Sequence, residues 1–136
     1  MKTAVRMILS LIAGIGVALI LVIAVELISA VIHPVPPGFQ GTMDEMCQHV
    51  AQYPHWVLGL VVPAWGGTAF LGTWVARKLG NRSSGVIVGL LLLAAVICNV
   101  TQLPYAIWFK VVILLVIPVA VLRGLREPRH SSPPVE

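Results

Sequence analysis

The sequence predicts an all-α fold: an integral membrane bundle of four transmembrane helices, with a short amphipathic helix in the outer loop between the first two. Three observations predict it. Of 136 residues, 58% are hydrophobic and 10% charged, and the mean hydropathy is +0.95. That composition excludes both an ordinary soluble domain and a disordered chain. Long apolar runs recur, each about one bilayer thickness or more. The basic residues fall in alternate gaps between those runs.

Lys and Arg number 9 against 5 Asp and Glu, a net charge of +4. Lys2 and Arg6 precede the first run, Arg77, Lys78 and Arg82 lie between the second and third, and Arg123, Arg126 and Arg129 follow the fourth. Lys110 alone falls on the other side. Short basic loops stay cytoplasmic, so both termini and the middle loop are expected inside. No basic folded face is left to bind nucleic acid; the lipid bilayer is the partner the composition demands.

The first span, residues 7–32, is interrupted only by Ser10, Glu26 and Ser29, and reaches about 39 Å as a helix. A signal peptide has an apolar core of only about 7 to 15 residues, so this helix is expected to be retained. The outer segment, residues 33–55, opens on His33-Pro34-Val35-Pro36-Pro37-Gly38, where proline removes amide donors and enforces extended backbone. Thr42-Met43-Asp44-Glu45 then reads as a capping box. It starts a short helix with Met43, Met46, Cys47 and Val50 on an apolar face and Asp44, Glu45, Gln48 and His49 opposite, lying on or plugging the outer mouth.

The second span, residues 56–76, stops at Arg77-Lys78, and the third, residues 84–103, stops at Pro104. The fourth, residues 106–122, takes in Lys110, whose long stem lets the ammonium snorkel to the outer interface. Trp56 and Lys110 with Trp108, Tyr53, Tyr105 and Phe109 are read as interfacial anchors. The tail, residues 123–136, is expected to be cytoplasmic and disordered.

Helices in lipid associate through close backbone approach. Ala64, Thr68, Gly72 and Ala76 form a small-residue stripe on the second span, Gly85 and Gly89 a GxxxG on the third, and Ala13, Gly14, Val17 and Ala18 a flat patch on the first. These stripes serve packing within one chain, a homo-oligomer or another membrane protein, and the sequence leaves the three open.

Glu26 lies about 10 Å below His33, inside the hydrocarbon region. An acid there must be protonated or paired and must face the bundle or water. Asn99 and Gln102 on the third span, and Pro63 and Trp65 on the second, reach a similar depth, so an intramembrane polar cluster of Glu26, Asn99, Gln102, His33 and Pro63 is expected. Pro63 contributes through the Gly59 carbonyl it leaves unbonded, and His33 as an entrance relay. The opposing reading makes each a satisfied polar residue at a helix contact.

Cys47 and Cys98 form no Cys-x-x-Cys, and a bridge between them stays open. His33, His49 and His55 with Cys47, Met43 and Met46 put imidazole and soft ligands in one outer segment, and Cys47-x-His49 with the methionines would suit Cu(I), but helical phasing turns His49 away from Met43, Met46 and Cys47, and no metal site is expected. No cofactor-binding or catalytic motif is present.

Glu26 in the first helix, His33-Pro34 and Pro36-Pro37-Gly38, Gly72-x-Trp74-Val75-Ala76, and Asn99 before Pro104 and Trp108-Phe109 resemble a group of small, uncharacterised four-helix bacterial inner-membrane proteins. The resemblance implies that location and fold, and no activity. Tyr105-Ala106 stands where that group's pattern has His-Pro, which removes any role for an imidazole there. Small multidrug exporters also carry one acid in a first helix, but the one-sided basic bias and the long outer segment depart from them. The expected function is a non-enzymatic accessory or assembly component; the alternative is a small proton-coupled transporter titrating at Glu26.

Overall fold

A computed structural model describes residues 2–126. Within them the chain forms α1 (Lys2–Ile32), α2 (Met43–Ala51), α3 (His55–Leu79), α4 (Arg82–Gln102) and α5 (Ile107–Gly124), and no strand. All but α2 are long and apolar enough to cross a membrane, which makes this a multi-pass membrane protein. The tail beyond Arg126, including Arg129, lies outside the described residues.

Local chemistry explains the boundaries. Thr42 caps α2 with both halves of the capping box: its hydroxyl accepts from the Glu45 amide, and the Glu45 carboxylate accepts from the Thr42 amide. The same carboxylate also takes the Gln40 amide at 2.9 Å, and these backbone donors hold the Glu45 carboxyl below its ordinary range. Asn81 caps α4, its Oδ1 accepting from the Ser84 amide at 2.9 Å. Pro37 and Gly38 turn the outer segment, with the Phe39 amide donating to the Pro36 carbonyl and Gly38 at φ 83°, a conformation other residues resist.

α3 is the hub. It packs against α1, α4 and α5, while α1 and α5 share no backbone contact. The expected stripes are the reason. A Cβ at Gly14 would lie 2.6 Å from the Ala76 Cβ and 2.8 Å from the Gly72 carbonyl oxygen, and one at Gly72 would meet Ala18 and the Gly14 carbonyl oxygen at 3.1 Å. Thr68, Gly72 and Ala76 are all buried here, whereas Ala64 is half-buried. Gly85 and Gly89 of the GxxxG face Thr73 of α3, with Leu125 and Val121 of the last helix beside them. These stripes therefore join helices of one chain. Gly124, which the sequence reading passed over, sits in the same seam, where an added Cβ would lie 2.8 Å from the Phe70 carbonyl oxygen and 3.1 Å from the Thr73 Cβ.

The core lies toward the end that carries α2: Leu58, Val61, Ala69, Val100, Phe109, Ile113 and Ile117 are buried together. This corrects the interfacial belt. Phe109 is fully buried, and Tyr105 packs on it at 5.0 Å between ring centroids. Trp56 and Trp108 stay on the outside, and Lys110 is half-buried in the first turn of α5. The other end is basic: Arg6 Nε donates to the Leu79 carbonyl at 2.8 Å, Arg77 to the Arg126 carbonyl at 2.6 Å, and Lys78 lies 4.4 Å over the Trp74 ring.

Candidate functional site

Glu26 sits on α1 just under one turn below the buried Ser29, at the edge of the stripe that α1 turns to α3. Two cavities meet there. The lower one, about 170 Å³, is walled mainly by Val22, Leu92, Val96 and Ile117, with Glu26, Trp65, Thr68 and Asn99 as its polar lining. The upper one, about 260 Å³, lies under α2 and is lined by His49, Tyr53, Tyr105 and Ser29 together with the same Glu26, Trp65 and Asn99. These three residues form the waist between the chamber under α2 and a pocket among α1, α3, α4 and α5.

The waist is polar and unsatisfied. Trp65 Nε1 and Asn99 Oδ1 are buried with no hydrogen-bond partner. Among the described residues the Glu26 carboxyl has neither an ion pair nor a hydrogen bond. Thr68 contributes little, since its hydroxyl donates to the Ala64 carbonyl at 2.9 Å. Glu26 and Ala95, on facing sides of the lower pocket, are both exposed, so the pocket opens sideways between α1 and α4.

The expected cluster is thus brought together in part. Glu26 and Asn99 share both cavities. Gln102 shares only a side groove with Asn99, Met43 and Met46 and lines neither cavity with Glu26; it is exposed at the end of α4, where its backbone carbonyl accepts from Cys47 Sγ at 3.9 Å. Pro63 is also outside, exposed on the far side of α3 in a groove against α5. Its place in the helix turns it away from Trp65, so the Gly59 carbonyl it frees does not reach Glu26.

His33 is half-buried with its Nε2 unpartnered. It stacks on His49, ring centroids 4.5 Å apart at 22°, and lies 4.7 Å from Tyr53. This corrects the reading of α2. Its seated face is His49 with Val50, and Met43 is exposed. Ring stacking on His33 and Tyr53, rather than an apolar face on lipid, decides the roll of the helix. Burial, and after it the His33 charge, hold the His49 imidazole below its ordinary pKa.

Sequence reasoning also missed Tyr53 and Tyr105 as chamber walls. The Tyr105 and Phe109 spacing, i to i+4 across a helix start, was the signal available. Burial first, and then the charge on Glu26, raise the pKa of both tyrosines, so each presents a neutral hydroxyl. Cys47 and Cys98 are both unbridged. Among the described residues no three His, Cys, Asp or Glu side chains gather to hold a metal ion.

No known protein family, curated protein or solved structure matches this chain, so its function is argued from the cleft itself.

Proposed function

We infer that the protein is a small, non-enzymatic solute-binding carrier of the bacterial cytoplasmic membrane, proton-linked through Glu26. One observation carries this reading. An acid serving only as structural glue would be bonded to the nearest amide or indole, yet Glu26, Asn99 Oδ1 and Trp65 Nε1 line one cleft without bonding to one another or to anything else described. Buried polar atoms without partners mark a site awaiting an occupant. The basic residues gathered at the opposite end of the bundle support an orientation with both termini cytoplasmic and the chamber outside.

Infrared difference spectroscopy of the purified protein in liposomes tests it. A carboxyl band absent from Glu26→Gln should appear and vanish as the bath is stepped across the pH range the protein withstands, and exchange with deuterium supplied outside. A carboxyl that keeps one protonation state over that range, or exchanges only from the inside, removes the carrier reading.

The second reading, an accessory component of a larger assembly, is favoured by the exposure of Glu26 at the cleft rim, where a polar side chain of another membrane protein could reach it. It predicts that the wild type, and not Glu26→Gln, co-purifies from native membranes with a stoichiometric partner.

A further inference from the structure

The unpartnered atoms of the cleft narrow the chemistry of its occupant. Trp65 Nε1 carries a hydrogen and only donates, while Asn99 Oδ1 only accepts. Glu26 adds a carboxyl on the rim. An ammonium group would answer the carboxylate and the amide oxygen but has no lone pair for the indole. An anion would answer the indole but would meet Glu26 and the amide oxygen with like charge. A hydroxyl does both, donating to one atom while accepting from the other. Turning the Asn99 amide over would present Nδ2 instead, and a hydroxyl would answer that as well.

The walls add an apolar, aromatic requirement. Trp65 meets Phe109 edge to face at 6.0 Å and Tyr105 lies 5.0 Å from Phe109, so the buried Phe109 braces the two rings that line the upper cavity, Trp65 and Tyr105, and Trp65 carries an aromatic wall on into the lower one, where it suits a further ring. The lower pocket is otherwise aliphatic, and its opening between Glu26 and Ala95 faces the side of the bundle. That is the approach open to a molecule already dissolved in the outer half of the bilayer.

We propose that the cleft binds an uncharged hydroxylated aromatic ring, of the phenol or hydroquinone class. The ring lies against Trp65, and its hydroxyl accepts from Trp65 Nε1 and donates to Asn99 Oδ1 or the Glu26 carboxyl. This rests on reading the cleft as a solute site and names the solute's class. Binding needs no electron transfer and no covalent step.

Ligand-observed NMR titrations of the full-length protein in a non-ionic detergent test it, with para-ethylphenol, para-ethylanisole, ethylbenzene and phenethylammonium as probes. Para-ethylphenol should bind most tightly, and the methyl ether, which cannot donate, roughly fivefold to tenfold more weakly. Trp65→Phe should weaken both, and Asn99→Leu the phenol alone. Equal binding of the phenol and ethylbenzene, tightest binding of phenethylammonium, or no binding at all would each overturn the proposal. The wild-type ranking decides even where a variant fails to fold. Loss of phenol selectivity with the Glu26 carboxyl band still titrating rejects the solute class alone; a silent band with selectivity intact rejects the proton linkage alone.

Discussion

His33 and His49 lie face to face, ring centroids 4.5 Å apart at 22°, and through this contact α2 is fastened to the C-terminal end of α1. His33 still belongs to the helix by its backbone, its amide donating to the Ser29 carbonyl at 2.7 Å. His49 comes from the short helix that roofs the chamber. Two neutral imidazoles stack well; two imidazolium ions in the same place repel.

Acid should therefore lift the roof. The His49 pKa is lowered in the folded protein by burial and by the His33 charge, so the released helix binds more protons than the seated one, and seating is favoured as pH rises. The contribution is complete above the ordinary histidine value and disappears as pH falls through the lowered one. Tyr53, Tyr105 and Glu26 are the other titratable groups that line the chamber with His49. Spin labels at Gln48 and Ile107, in a background with both cysteines replaced by serine, should move apart as pH falls below the ordinary histidine range. His49→Phe keeps a ring without a charge and should abolish the response. An identical distance distribution at neutral and acid pH would sink the idea.

Gly14→Ala should loosen α1 from α3. The added methyl would meet the Ala76 Cβ at 2.6 Å and the Gly72 carbonyl oxygen at 2.8 Å, whereas one at Gly16 would find nothing within 4 Å. We expect a loss of about 1 to 3 kcal/mol for Gly14→Ala. Gly16→Ala should be neutral or slightly stabilising. Unfolding followed by tryptophan fluorescence compares the two, and equal effects would refute the close approach.

Thr42→Ala should fray α2 without disturbing the bundle. It removes the hydroxyl that accepts from the Glu45 amide, worth about 1 kcal/mol at a helix start. Amide exchange in residues 43–51 should speed up roughly fivefold, while α3 and α4 keep their protection. Unchanged exchange in α2 would show that ring stacking alone holds it.

Phe109→Ala should be far more damaging than Trp108→Ala. Phe109 is fully buried against Trp65 and Tyr105, while Trp108 is 37% exposed. A cavity at Phe109 is expected to cost about 3 to 5 kcal/mol, and loss of Trp108 under about 1 kcal/mol. Thermal unfolding of the two variants in one detergent measures the gap; a Trp108 variant as unstable as the Phe109 one contradicts the packing.

Much of this architecture is legible in the residues alone. Hydropathy runs and basic stops give the spans, Thr42 and Glu45 give the start of α2, and the Gly72 and Ala76 stripe gives the face that meets α1. Rotation about each helix axis is less legible. Phe109 and Trp108 are neighbours of similar character, and only tertiary packing decides which one enters the core. Gln102 and Asn99 are similar amides three residues apart and share a side groove, yet only Asn99 also reaches the cleft with Glu26. His49 was misjudged because hydropathy ranks imidazole with the polar face, whereas here it packs as a ring.

The isolation of α1 from α5 bears on how the chain is assembled. The first helix emerges from the ribosome well before α3, the element that supplies most of its contacts. During that interval it waits in the bilayer with a carboxyl group on its flank and no glycine track to rest on. The nascent protein must tolerate that acid in transit, so the cost of Glu26 falls on membrane insertion as well as on the finished molecule.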